Sequence, residues 1–142
     1  MTDQPLVYMA GPLFNEGERW WIEEMDKLVC NSGFRTFLPH RDSPRKNKHN
    51  ARDIFLADTA SIDECTLIIA NLNGISSDDG TAWELGFAFA KGKYAIGYYS
   101  DWRQRFPDDE KVNLMIEQSL DVLVEDLNQL QTAINDWKAD NQ

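Results

Sequence analysis

Five short apolar runs punctuate this chain: Leu6 to Ala10, Phe34 to Leu38, Leu67 to Ala70, Tyr94 to Tyr99 and Leu120 to Val124. Runs of this length bounded by turn residues read as strands buried on both faces. The stretches between them have helical character. Asn15 followed by Glu18 is a capping-box pattern, Trp21, Met25, Leu28 and Val29 share one helical face, and Gly33 ends that helix. Pro39 stops the second strand, and the polar, basic stretch Arg41 to Arg52 predicts a mobile loop. Helices are expected over Ile54 to Glu64, Thr81 to Ala90 and Val112 to Ser119, and Leu127, Leu130, Ile134 and Trp137 form the inner stripe of a closing one. Strands alternating with helices through short joints fold as a parallel sheet covered on both faces. The expectation is one α/β domain over residues 1–142, doubly wound, with a five-stranded flavodoxin/Rossmann-like sheet.

Such sheets bind ligands beyond the carboxyl ends of their strands. That directs attention to Gly11 to Phe14, His40 to Asp42, Asn71 to Asp79 and Ser100 to Arg103. A net charge of −10 argues against a protein that tracks nucleic-acid phosphates. No apolar run approaches the roughly 18–20 residues of a membrane span. Cys30 and Cys65 lack zinc-site spacing and read as reduced thiols. With no charged and apolar leader over Met1 to Pro5, a cytoplasmic protein is expected. The Gly-rich dinucleotide fingerprint and the Walker-type phosphate loop are both absent, so no cofactor is expected. No metal is expected either, because His40 and His49 lie in or beside the basic loop.

The segment Asp78-Asp79-Gly80-Thr81-Ala82-Trp83-Glu84-Leu85-Gly86-Phe87-Ala88-Phe89-Ala90 carries the most chemistry. Glu84 is the one charge between Thr81 and Ala90, in a helix expected to be covered on most sides. An unpaired buried carboxylate costs several kcal/mol or shifts its pKa. Either Glu84 lies on an exposed edge or beside a cation, or it is held at the ligand end of the sheet, where the start of its helix is expected to favour its charge. Asp78 or Asp79 caps that helix. Two aspartates and a glutamate converging on a pocket suit polyol recognition and acid–base work.

These residues resemble the nucleoside 2-deoxyribosyltransferases over nearly the whole chain. The resemblance runs through Tyr8-Met9-Ala10-Gly11-Pro12-Leu13-Phe14, Phe37-Leu38-Pro39-His40-Arg41-Asp42, Ala70-Asn71-Leu72-Asn73-Gly74, the segment from Asp78 to Gly86, and Asn113-Leu114-Met115. It implies that Glu84 is the nucleophile, that Tyr8 orients it, and that Asp58 protonates the departing nucleobase. It implies also that Asp78 binds sugar hydroxyls, that Phe14 lies against the base, and that Gly11 and Asp79 adjoin the substrate. Asn113 and Met115 would enter a neighbouring subunit's pocket, beyond a segment Arg103 to Lys111 that can reach outward. A homodimer or higher homo-oligomer with shared active sites follows. Plainer readings stand beside these: Tyr8 and Phe14 as core, Asp58 as a surface helix residue, Met115 as packing. His40 stands where many relatives have an amide, so base preference does not carry over.

The implied chemistry is base exchange on a 2′-deoxynucleoside with a free nucleobase, through a deoxyribosyl ester of Glu84 and with retained β configuration. Two alternatives remain. One is a 2′-deoxynucleoside 5′-monophosphate N-glycosidase on the same fold, whose relatives carry small hydroxyl residues at the position of Asp78; the basic Arg45, Lys46, Lys48 and Arg52 favour it. The other is a non-catalytic nucleotide-binding module.

Overall fold

The five apolar runs pair as one all-parallel sheet in the computed structural model, which describes residues 3–103 and 111–142. Residues 104–110, most of the segment expected to reach outward, lie outside the described residues. The strands are β1 (Leu6–Ala10), β2 (Arg35–Phe37), β3 (Leu67–Asn71), β4 (Tyr94–Tyr98) and β5 (Val122–Val124). Around them run α1 (Glu16–Asn31), α2 (Pro39–Asp42), α3 (Ala51–Glu64), α4 (Asp79–Ala90), α5 (Leu114–Ser119) and α6 (Leu127–Asp140). The strand order β2-β1-β3-β4-β5 is doubly wound. From β1 the chain first adds a strand on one side, then returns to the other, so the switch point lies between β1 and β3.

Every residue of β1 and β3 is buried, which is why both read as unbroken apolar runs. The two-residue side-chain period divides each strand between two cores. Val7, Met9, Leu67 and Ile69 pack with Ile22, Met25 and Val29 of α1 and with Leu130 and Ile134 of α6. Leu6, Tyr8, Ala10, Ile68 and Ala70 face the opposite layer, with Ile62 of α3 and with Leu85 and Ala88 of α4. The closing stripe is as expected, since Leu127 and Trp137 also pack against the first core. The Asn15–Glu18 capping box forms, and Gly33 leaves α1 at φ +95°.

Several boundaries differ from the sequence expectation. Pro39 does end β2, but it also opens α2, because a proline is favoured in the first turn, where its missing N–H is no loss. The expected loop from Arg41 is thus shorter: α2 takes Arg41 and Asp42, and α3 starts at Ala51 rather than Ile54. Asp42 Oδ2 accepts the Leu38 N–H at 2.9 Å, and Arg41 reaches back to Asp26, Asp42 and the Thr36 carbonyl. Leu120 ends α5 instead of opening β5, and Asp121 instead accepts the Ala95 N–H. The helix bearing Glu84 is not covered on most sides: Trp83 is 49% exposed and Phe89 63%. Only Thr81, Leu85 and Ala88 of α4 are buried.

Gly97, next to last in β4, leaves no room for a side chain. An added Cβ would meet Leu120 Cδ1 at 2.5 Å, Leu72 Cδ1 at 3.0 Å and Leu123 Cδ1 at 3.2 Å. Gly97→Val should therefore lower the urea midpoint despite valine's strand preference, at a cost of about 1–3 kcal/mol from overpacking. An unchanged midpoint in equilibrium denaturation would show that the three leucines yield freely.

Candidate active site

The strand period that buries Tyr8 also aims it at α4. Its ring stacks on Phe37 with centroids 5.4 Å apart, and its hydroxyl donates to Glu84 Oε2 in a short hydrogen bond. Glu84 is half-buried on α4, whose start is fixed by Asp78. One oxygen of Asp78, Oδ2, accepts both the Thr81 N–H at 2.9 Å and the Thr81 hydroxyl at 2.8 Å. The choice between Asp78 and Asp79 as cap thus falls to Asp78. Because both bonds use Oδ2, Oδ1 remains for a ligand.

A third carboxylate arrives from α3. Asp58 is half-buried and accepts a short hydrogen bond from the Ser43 hydroxyl, just past α2. Glu84, Asp58, Asp78, Gly11 and Phe14 all line one cavity of about 1200 Å³ at the carboxyl end of the sheet. Phe14 is 80% exposed at its mouth, so core packing is not what holds it there. Its backbone N–H is bound by the capping Glu18 at 2.9 Å. Gly11 lets β1 end close to β3: an added Cβ would lie 3.0 Å from Asn71 Cβ and 3.2 Å from Ile22 Cδ1.

Burial pushes the Glu84 carboxyl up from 4.5 to about 7. The Tyr8 hydrogen bond pulls the other way, while Asp58 and Asp78 add like-charge repulsion. The support expected from the helix start does not outweigh burial. Glu84 is in the second turn, past the reach of the terminal dipole, and Asp78 already takes the N–H of Thr81. Asp58 is also raised, by burial, against the lowering pull of Ser43. Tyr8 is raised well above the ordinary phenol range by burial and by Glu84, so it stays a donor.

The remaining expected site residues lie elsewhere in this chain. Asp79, Asn113 and Met115 line a second cavity of about 670 Å³, between α4, α5 and the segment after β3. Asn113 caps α5, accepting the Met115 N–H at 2.8 Å, and Met115 is 74% exposed. Sequence reasoning missed Ser43 and Arg19 in the first cavity. Ser43 meets Asp58 only through the fold, fifteen residues away. Arg19 looks like any cation on the polar side of α1.

The Glu84 shift predicts a pH-dependent stability. Because the folded value of about 7 lies above the ordinary 4.5, the fold favours the protonated form. That contribution is complete below about pH 4.5 and is lost as pH rises through about 7. Glu84→Gln should match the parent at pH 4 and exceed it at pH 8, by up to about 3 kcal/mol. Equal urea midpoints at pH 8 would show that the carboxylate is held without strain.

The fold has counterparts among solved structures. A conserved protein of Enterococcus faecalis superposes with a TM-score of 0.82 at 24% identity, covering 94% of this chain and 98% of the other. A 2-deoxyribosyltransferase of Bacillus psychrosaccharolyticus gives 0.73 at 27%, covering 89% and 90%. A CMP N-glycosidase of Clostridium botulinum shares the fold, with a TM-score of 0.58 at 19% identity over 92% of this chain and 98% of that one. No curated protein matches the chain. Among the described residues no helix is long and apolar enough to cross a membrane. The description of the nucleoside 2-deoxyribosyltransferases matches residues 7–133. With the match spanning most of its length, the chain belongs to the nucleoside 2-deoxyribosyltransferase family.

Proposed function

We propose that this protein exchanges the nucleobase of 2′-deoxynucleosides, with Glu84 as nucleophile. The observation that carries the reading is the Tyr8–Glu84 hydrogen bond in a cavity shared with Asp58 and Asp78. A carboxylate whose oxygen is held by a fixed donor is oriented for attack on one carbon. Glu84 forms a bond to C1′ as the C1′–N bond breaks. That electron pair leaves with the base, and Asp58 supplies the proton the base needs. The deoxyribosyl ester is then attacked by a nitrogen of the second base from the face opposite Glu84. The N–H proton of the incoming base returns to Asp58, Glu84 is released, and two inversions retain the β configuration. Electrons are neither gained nor lost overall, so the scheme uses no redox cofactor. Asp78, through Oδ1, accepts a hydrogen bond from a sugar hydroxyl.

Asp78 also favours a nucleoside over its 5′-monophosphate, because a phosphate would bring like charge into a partly dry pocket. The rival glycosidase reading is supported by Arg45 and Lys46 on the cavity rim. Incubating the protein with deoxyinosine and adenine separates the two: deoxyadenosine should form, and mass spectrometry should find the trapped sugar on Glu84. Free deoxyribose alone, an adduct on another residue, or faster turnover of the 5′-monophosphate would overturn the transferase reading.

The reading includes a shared site. Asn113 and Met115 are exposed and turned to a different cavity in their own chain, which supports their serving a neighbour. In a twofold, isologous dimer each site would take Glu84 from one chain and Asn113 from the other. Glu84→Gln and Asn113→Ala should each be nearly inactive alone. Refolded together, they should regain about a quarter of the parent's sites, because half the dimers are mixed and each mixed dimer has one intact site. Activity that stays at the level of the separate variants, with mixed dimers confirmed by native mass spectrometry, would place Asn113 in its own chain's pocket.

A further inference from the structure

The cavity has three carboxylates on the side where the chemistry is proposed, but basic side chains also line it: Arg19, His40, Arg41, Arg45 and Lys46. Most are already engaged or face solvent. Arg41 is bound to Asp26, Asp42 and the Thr36 carbonyl. His40 Nε2 meets Glu23 at 2.8 Å, and its Nδ1 is sealed from solvent with no partner. Arg45 and Lys46 are exposed. Arg19 differs: it is half-buried, and its Nη1 donates to the Leu13 carbonyl at 2.9 Å. Among the described residues it has no carboxylate partner, and none of its nitrogens is a sealed, unpaired atom. Its remaining N–H groups therefore reach solvent, from a side chain that lines the cavity.

The Leu13 tether fixes where those donors are. Leu13 precedes Phe14, so Arg19 and Phe14 both enter the cavity from the β1–α1 side, while Asp78 enters from the β3–α4 side. With the sugar held by Asp78, the base takes the end nearer Phe14 and Arg19. A guanidinium offers donors and no acceptor. It bonds to a carbonyl oxygen, but an exocyclic amine there sets donor against donor and leaves both unpaired in a partly dry site. A site built to hydrogen-bond one group strongly rejects an analogue that cannot reciprocate.

We propose that Arg19 is a specificity residue that selects purines with a carbonyl at the 6-position, hypoxanthine and guanine, over adenine. The proposal rests on the base-exchange reading for its turnover, but not for its recognition chemistry.

The test compares hypoxanthine with adenine as acceptor for a common donor, deoxycytidine or thymidine, in the parent, Arg19→Gln and Arg19→Lys. In the parent, kcat/KM should favour hypoxanthine about tenfold or more, the scale of a good charged hydrogen-bond pair to a base edge. Arg19→Gln, whose amide offers both a donor and an acceptor, should bring that ratio near one. Arg19→Lys, which keeps a donor but loses the fork, should fall between. A lesion that is merely structural would lower both substrates together and leave the ratio unmoved. A parent ratio within twofold of one, or a ratio unchanged in Arg19→Gln, overturns the proposal. Calorimetric titration of the parent and Arg19→Gln with free hypoxanthine and with adenine reads the same preference without turnover. If no base exchange occurs but hypoxanthine binds more tightly in an Arg19-dependent way, the transfer reading fails and the role of Arg19 stands.

Discussion

The hydrogen bond between Tyr8 and Glu84 ties the core to the site. A fully buried tyrosine must find a partner for its hydroxyl, and a half-buried carboxylate must find a donor. Each residue meets the other's need across the sheet–helix contact. The cost is visible in the raised Glu84 carboxyl, which burial holds near 7 even with that donor in place. Replacing Glu84 with an apolar residue would strand the hydroxyl. Replacing Tyr8 would leave the carboxylate to water or to repulsion from Asp58 and Asp78. The pair couples a packing position on β1 to a chemical position on α4.

The sheet topology decides where that pair is placed. With β1 flanked by β2 and β3, the segments leaving β1 and β3 diverge to opposite layers and open a crevice at the carboxyl ends. Gly11 lets the two segments start close together, since a side chain there would press on Asn71 and Ile22. The crevice then receives Phe14 from one layer and Asp78 and Glu84 from the other. The short α2 turn adds Ser43, and thereby holds Asp58 from a third direction.

Much of this was legible in the sequence because burial leaves strong periodic marks. β1 and β3 stand out as unbroken apolar runs since both of their faces are covered, and the capping box at Asn15 is a local pattern that needs no tertiary help. Glu84 stood out as a charge amid apolar residues. What was not legible depends on contacts between distant segments or on competition between local signals. Pro39 suggested a stop and was also a start. Arg19 carries no motif, and its half-buried place depends on the Leu13 carbonyl. The apolar run of α4 suggested burial, yet Trp83 is 49% exposed, edge-on against Phe55 and stacked on Phe87. Hydrophobicity alone does not separate a face covered within the chain from one left outside it.

The protonation of the site raises a problem that the proposed chemistry must solve. Glu84 needs to be ionised to attack, and Asp58 needs a proton to give. Burial raises both carboxyls, Glu84 to about 7, while the Ser43 hydrogen bond pulls Asp58 the other way. Asp58 also adds like-charge repulsion that raises Glu84. With its carboxyl near 7, Glu84 is only partly ionised around neutral pH, short of the state that attacks. A base bound against Asp58 changes the balance in two ways. It removes water from Asp58, which raises that carboxyl further, and it offers a ring nitrogen that accepts a hydrogen bond only from the protonated form. At the same time the sugar carbon facing Glu84 gains positive charge as the C1′–N bond stretches, which stabilises the carboxylate where it is needed. Tyr8, already donating to Oε2, holds that charge without having to move. In this scheme substrate binding favours the proton on Asp58 and the charge on Glu84, and the two carboxylates acquire their different roles from the ligand between them.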